Sequence, residues 1–171
     1  MLFGNKTTKF SQRSSSTERH TIKQREPLKA IGYWRETPLP IGDGLPEPQD
    51  FVDPQWRPDE RAQIVSYLRA GKAAVQWRGH AQCRLCVPSM ALGSCDLTDG
   101  EWVWPQRLEH YVEEHGLLLP DEFIDSMRRH KWMVLIPLKK ARWDGQMYNF
   151  SYWSLWAAAI KDSLVVDEET R

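Results

Sequence analysis

The chain has 171 residues, a length that suits one ordinary domain and is too short for two large ones. Hydrophobic residues make up 41%, nine tryptophans enlarge the apolar volume, and the mean hydropathy is −0.60. The formal net charge is zero, but residues 1–30 hold seven lysines and arginines against two acidic residues, so this segment carries +5 and the rest −5. No apolar run has the length of a membrane span or signal peptide, and three cysteines do not indicate a secreted disulfide framework. We therefore expect no membrane partner and a cytoplasmic location.

The N-terminal third predicts two segments outside the main domain. Residues 1–30 are polar, basic and poor in aliphatic side chains, which predicts a disordered basic arm. Residues 31–57 contain closely spaced prolines, so we expect neither a helix nor a central strand there. Four aromatic anchors nevertheless favour an extended strap on the domain surface: Tyr33, Trp34, Phe51 and Trp56. Residues 58–171 predict a single domain.

Within 58–171, helix and strand patterns alternate irregularly. Prolines in the first turn and glycines at the end delimit two of the predicted helices, and the Asp99–Gly100 pair predicts a hairpin turn. In chain order we predict a helix over 58–71, a strand over 72–78, two short strands around 98–100, helices over 105–116 and 120–130, a strand over 131–138, and a helix over 149–165. This order predicts a small α+β domain with a short antiparallel sheet or hairpin and about four helices.

All three cysteines lie in residues 83–95, and two of them form a C-x2-C pair, Cys83 and Cys86. After twenty-three residues the pair is followed by H-x4-H, His110 and His115. Two thiolates from one turn and two imidazoles from a helix are the ligands of a structural zinc site. The spacing therefore predicts a zinc-finger-like Cys2His2 site that stabilises the domain, although the gap is longer than in a DNA-reading finger.

Other ligand sets are chemically sound as well. His110 and His115 are turned about 140° apart on an ideal helix, so His115 can reach the ion only if the helix ends there, as Gly116 indicates. Cys95 and His80 are the reserve ligands. The remaining interpretations are a redox C-x-x-C pair, which the loop-like residues after Cys86 do not favour, and reduced cysteines with surface histidines.

A catalytic zinc would need an open coordination position and a nearby carboxylate base. Glu109 or Glu113 would then carry protons in a zinc-dependent hydrolase. The chain contains none of the common hydrolase or phosphate-binding motifs. A closed site without catalytic activity is therefore the main prediction, with the hydrolase as an alternative.

The same region resembles an uncharacterised bacterial protein family over residues 31–125. The features that carry the resemblance are the cysteine pair, "LTDG" at 97–100, Trp104–Pro105, "LEHYV" at 108–112 with the following His115, and "LPDEF" at 119–123. The resemblance implies a unit and its boundaries and no activity. Val87 stands where that family often has a glycine.

Two kinds of macromolecular partner fit the sequence. The main interpretation is an intracellular interaction protein that binds a protein partner through its Trp-rich, Pro-containing surface. The alternative is a nucleic-acid-binding protein that uses the basic arm and the basic turn 139–142, aided by 128–131. Most of the aromatic side chains after residue 101 are expected in the core rather than at a base-stacking surface.

Overall fold

The computed structural model describes residues 26–35, 44–136 and 148–169. Within these ranges the chain forms five strands, four α-helices and one 3-10 helix. In chain order they are β1 (Leu28–Ala30), the 3-10 helix (Pro48–Phe51), α1 (Arg61–Ala70), β2 (Lys72–Gln76), β3 (Cys95–Thr98), β4 (Trp102–Pro105), α2 (Leu108–His115), α3 (Asp121–Arg129), β5 (Tyr148–Asn149) and α4 (Ser151–Glu169). Among the described helices, none combines the length and the apolar character needed to cross a bilayer.

The five strands form one mixed sheet in the order β2-β3-β4-β1-β5. β2, β3 and β4 are antiparallel neighbours, whereas β1 pairs in parallel with both β4 and β5. The α+β class and the four helices are confirmed. The sheet is larger than the predicted short antiparallel sheet or hairpin. The β3–β4 hairpin is one part of it, and β1 adds parallel pairing.

Residues 28–30, which we placed in the disordered arm, form β1 near the centre of this sheet. The amide of Lys29 donates to Glu101 O and that of Ile31 to Val103 O, each at 3.0 Å. Leu28 and Ala30 are buried. A three-residue strand has almost no periodic signal of its own, and its hydrogen-bond partners lie some 70 positions further along the chain. Residues 1–25 lie outside the described part of the chain.

Three of the four aromatic side chains of the strap lie in the core, and the fourth, Trp56, is partly buried. Tyr33, Trp34 and Phe51 are buried. The indole of Trp153 on α4 donates a 2.7 Å hydrogen bond to Tyr33 O, and its ring lies 5.5 Å from that of Trp34. The expectation that no helix forms in the strap was wrong for one turn. Pro48 occupies the first position of the 3-10 helix, where a missing amide hydrogen has no consequence.

Helix α1 packs against the β3–β4 hairpin and against α2. Its buried face consists of Ile64, Val65, Tyr67 and Leu68. The Tyr67 hydroxyl donates a 2.7 Å hydrogen bond to the buried Asp99 carboxylate in the predicted hairpin turn. The helix begins at Arg61 rather than at Pro58, because residues 58–60 form a turn after a left-handed residue at 57.

The strand predicted over 131–138 is wrong for the described residues 131–136, which form a turn and an irregular segment. Lys131 and Trp132 have positive φ values of 51° and 59°, which direct the chain away from an extended path. Met133 and Leu135 are consequently exposed. The two-residue strand β5 occupies the edge of the sheet instead. The basic turn 139–142 lies outside the described residues.

Gly71 allows α1 to approach the hairpin closely. A Cβ atom at this position would lie 2.6 Å from Cζ2 of the fully buried Trp104 and 2.9 Å from Cβ of Leu97. At Gly44, in contrast, the nearest atom to a Cβ would be Ser154 Oγ at 3.8 Å. We predict that Gly71→Ala lowers the free energy of unfolding by about 1–3 kcal/mol through overpacking. Thermal unfolding of both variants tests this; an equal effect of Gly44→Ala would contradict it.

Candidate metal centre

Four side chains from two separate parts of the chain meet beside α2. Cys83 and Cys86 lie in the loop 77–94 between β2 and β3, which we call the cysteine loop, and His110 and His115 lie on α2. One donor atom from each residue lies within 4.8 Å of every other. The structure thus brings together the four predicted ligands into a Cys2His2 cluster that could hold a metal ion.

The distances within the cluster match the dimensions of a tetrahedral site. Cys86 Sγ lies 3.2 Å from His110 Nε2 and 3.3 Å from His115 Nε2, and Cys83 Sγ lies 3.5 Å from His115 Nε2. With ordinary zinc–sulfur and zinc–nitrogen bonds, a tetrahedral ion separates sulfur and nitrogen by about 3.6 Å. The donor atoms therefore surround a space of the right size for such an ion with only small adjustments.

Backbone hydrogen bonds hold the cysteine loop in a narrow, hairpin-like shape. Leu92 N–H donates to Ala81 O, and Cys83 N–H donates to Met90 O, both at 2.8 Å. The hydroxyl of Ser89 donates to Cys83 O at 2.7 Å. Hydrogen bonds within the loop therefore hold its tip, which carries both cysteines, in place.

Besides the two histidines, a tyrosine side chain of α2 also contacts this loop. Tyr111, which follows the ligand His110, accepts a 3.0 Å hydrogen bond from Arg84 N–H at its hydroxyl. Burial raises the pKa of this tyrosine to about 12, so it stays protonated at neutral pH. Sequence reasoning did not identify Tyr111 as part of the site, and only its position beside His110 could have drawn attention to it.

Because α2 ends at His115, this residue need not share a helix face with His110 in order to reach the cluster. His115 is the last residue of the helix, and Gly116 has a left-handed φ of 63°. The two imidazole rings lie 5.2 Å apart with an interplanar angle of 80°, so they approach the cluster from different directions. A Cβ atom at position 116 would collide with the carbonyl oxygen of Asp53. Glycine at this position therefore lets the helix stop where His115 faces the cysteines, as the sequence predicted.

The pKa shifts of His115 and Cys86 affect metal binding at neutral pH in opposite directions. Desolvation and the neighbouring His110 lower the pKa of His115, so its imidazole is neutral and has a free lone pair. Desolvation, followed by the neighbouring Cys83 thiol, raises the pKa of Cys86. Without a cation the thiol keeps its proton, and binding of a metal must displace it.

The two reserve ligands do not join the cluster. Cys95 is buried at the start of β3, where its thiol lies 3.2 Å from Gln106 Oε1. His80 is exposed near the start of the cysteine loop. Both side chains instead line a separate cavity. The fourth member of the Cys2His2 cluster is therefore His115 rather than Cys95 or His80.

The two carboxylates named for a catalytic site differ in their surroundings. Glu113 is exposed and forms an ion pair with Arg69 on α1, so its carboxylate is directed toward that helix. Glu109 is buried, and its Oε2 has no hydrogen-bond partner within the described residues. Neither carboxylate is one of the residues that form the Cys2His2 cluster.

Metal affinity should depend on pH in the direction set by the thiols. Because the pKa of Cys86 is raised, a proton competes for its sulfur throughout the neutral range. We predict that the zinc affinity falls by up to about 100-fold per pH unit between about pH 8 and 6.5, since two thiols must lose protons. Competition with a chelator of known pH dependence measures this. An affinity independent of pH would contradict thiolate ligation.

Comparison with known proteins found no similar protein. No protein-family model, no curated protein and no solved structure matches the chain. The case for a metal centre therefore depends on the four donor atoms and the distances between them.

Proposed function

We propose that this chain is a zinc-binding interaction protein in which a closed Cys2His2 site has a structural role. The observation that carries the proposal is the convergence of four donor atoms from Cys83, Cys86, His110 and His115 within 4.8 Å. Paired thiolates and imidazoles in a near-tetrahedral arrangement favour zinc among the common divalent ions.

The composition of the cluster supports a structural ion over a catalytic one. Four protein ligands complete the tetrahedral coordination of zinc, and no position is left for water or substrate. The zinc-dependent hydrolase remains the alternative, because the buried Glu109 adjoins the ligand His110 and has an unpartnered oxygen among the described residues.

In the proposed role the ion adds to the few apolar contacts of the cysteine loop, in which Cys83 and Leu92 are buried. Between β2 and β3, the pairing of Gln82 with Ala91 is an isolated bridge rather than part of a strand. Several side chains of the loop are exposed, including Trp77, Val87 and Met90. An ion shared by the loop and α2 would supply the cross-link that apolar packing supplies elsewhere.

We predict about one zinc ion per purified chain by elemental analysis. Cys83→Ser should remove the ion and lower the melting temperature by about 10 °C, because metal binding contributes directly to folding free energy. Cys95→Ser is the matched control, since Cys95 contacts Gln106 and lies outside the cluster. It should retain the ion.

Substoichiometric zinc in the original protein, with unchanged melting after Cys83→Ser, would refute the proposal. Replacement of zinc by cobalt separates the structural role from the hydrolase alternative. A spectrum typical of four protein ligands supports the structural site, whereas a spectrum that shows a bound water supports the hydrolase.

The proposed interaction surface is the tip of the cysteine loop. Val87 is 98% exposed and Met90 42% exposed, and both lie within four residues of Cys86. Exposed apolar side chains on a stabilised loop are suited to contact a protein partner.

A photo-crosslinking amino acid at position 87, introduced in the native cells, should give a discrete cross-linked protein. The same amino acid at the exposed position Ala62 on α1 should not. Identical products at both positions, or none at position 87, would contradict the interaction surface.

Nucleic-acid binding through the basic arm and the turn 139–142 stays a prediction, because residues 1–25 of the arm and the whole turn lie outside the described residues. The auxiliary segment 128–131 offers less than its sequence indicated, since Arg128 is paired with Glu60 and Asp125. Membership of the bacterial family, the domain boundaries and the cytoplasmic location also stay predictions.

A further inference from the structure

A cavity of about 760 Å³ lies beside the cysteine loop. Its walls come from the strap, from the first part of the cysteine loop with the end of β2, and from the strands and helix opposite. The lining consists of residues 32–35, 76–82, Arg84, 92–96, 105–108 and Tyr111. This volume is within the range of small-molecule sites, which is roughly 300–1,000 Å³.

Cationic side chains predominate around this cavity. Four arginines line it, at positions 35, 78, 84 and 107, whereas Asp96 is the only carboxylate among the lining residues. Outside the lining, Glu47 is shared between Arg35 and Arg84 at 3.3 and 2.8 Å. Arg78 forms no ion pair with the described part of the chain. Arg107 Nε lies 3.8 Å from Oε1 of the buried Glu109, which is also outside the lining. The guanidinium group of Arg78 is therefore the cation left to attract an anionic ligand, and guanidinium groups bind phosphate oxygens in particular.

An exposed tryptophan stands at the edge of the same cavity. The indole N–H of Trp77 donates a 2.8 Å hydrogen bond to Asp96 Oδ2, and its backbone N–H donates to Ser94 O at 2.7 Å. Trp77 is nevertheless 43% exposed. Tyr148 donates to the same Asp96 oxygen at 3.1 Å. A large ring that is held at one edge and open to solvent is a preformed surface for stacking a planar ligand.

Two reactive side chains that line the cavity, Cys95 and Asp96, are held by neighbouring residues. Burial raises the pKa of the Cys95 thiol, which lies against Gln106 and is a poor nucleophile in this form. One carboxylate oxygen of Asp96, Oδ2, accepts hydrogen bonds from both Trp77 and Tyr148. These contacts support a binding site rather than a second reaction centre.

We propose that this cavity binds a nucleoside phosphate, with the base stacked on Trp77 and the phosphate held by arginines that include Arg78. The combination of one fixed, exposed aromatic ring with several guanidinium groups matches the two parts of such a ligand. A free nucleotide and the phosphorylated end of a single strand share this chemistry.

The cavity does not require a particular metal, but it shares two residues with the surroundings of the cluster. Arg84 lies between the two cysteines, and Tyr111 accepts the hydrogen bond of its amide. A disordered cysteine loop would therefore also remove part of the cavity wall. Zinc content and melting temperature must be measured on every sample. These measurements distinguish weak nucleotide binding caused by loss of the ion from weak binding in a protein with an intact cysteine loop.

Calorimetric titration of the full chain as purified, with AMP, GMP, CMP and UMP, tests the proposal. We expect saturable binding of at least one nucleotide, and at least about tenfold weaker binding of its nucleoside and of inorganic phosphate, since each lacks one part of the ligand. Arg78→Gln and Trp77→Leu should each weaken binding by about tenfold. Trp77→Phe, which keeps a ring but loses the hydrogen bond to Asp96, should bind more tightly than Trp77→Leu and less tightly than the original protein.

Arg69→Gln is the matched control, because Arg69 is an exposed arginine outside the cavity lining. It should leave nucleotide affinity unchanged. A phosphorylated oligonucleotide that binds more tightly than every mononucleotide identifies a strand end as the source, and the reverse order identifies a free nucleotide.

Three results would overturn the proposal. The first is no saturable binding of any nucleotide or oligonucleotide up to about 5 mM, which is beyond a dissociation constant of order 1 mM. The second is binding that Arg78→Gln and Trp77→Leu leave unchanged in samples with intact melting. The third is equal weakening by Arg69→Gln, which would indicate nonspecific attraction to surface charge.

Discussion

The docking of the cysteine loop against α2 is the interaction on which the candidate metal centre and the cavity both depend. The loop provides the two thiols and Arg84, and the eight-residue helix provides both histidines and Tyr111. This helix also packs against α1, and Cys83 and Leu92 of the loop are themselves buried in the hydrophobic core. A change that separates loop and helix would therefore disturb the cluster and open one wall of the cavity together.

The site was more predictable from the sequence than the sheet, because its signals are local. The C-x2-C and H-x4-H spacings and the glycine after His115 each lie within a few residues, and they specify ligand chemistry directly. The sheet depends on β1, whose three residues gain their meaning from partners near residues 101–103. The cavity was missed for a similar reason, since Trp77 and Arg78 have no ligand-binding signal until the strap and β4 come close to them.

Two buried aspartates show how this small domain retains polar groups in its interior. Asp99 accepts hydrogen bonds from the amides of Glu101 and Trp102 and from Tyr67, while Asp96 accepts from Trp77 and Tyr148. Burial raises the pKa of both carboxyl groups, and the surrounding donors partly oppose that effect. Asp99 secures the hairpin turn to α1, whereas Asp96 connects the sheet to an exposed ring. A buried, hydrogen-bonded carboxylate thus stabilises the interior at Asp99, whereas at Asp96 it holds the exposed ring of Trp77.

The contact between the strap and the end of α2 determines how the protein can be shortened. Asp53 N–H donates to Gly116 O and Leu118 N–H donates to Phe51 O, with an isolated bridge between Val52 and Leu117. A fragment that began at residue 58, the predicted domain boundary, would leave these main-chain groups without partners directly after His115. These contacts therefore predict that a minimal stable fragment begins before β1 rather than at residue 58, so truncation libraries should place its N-terminal end there.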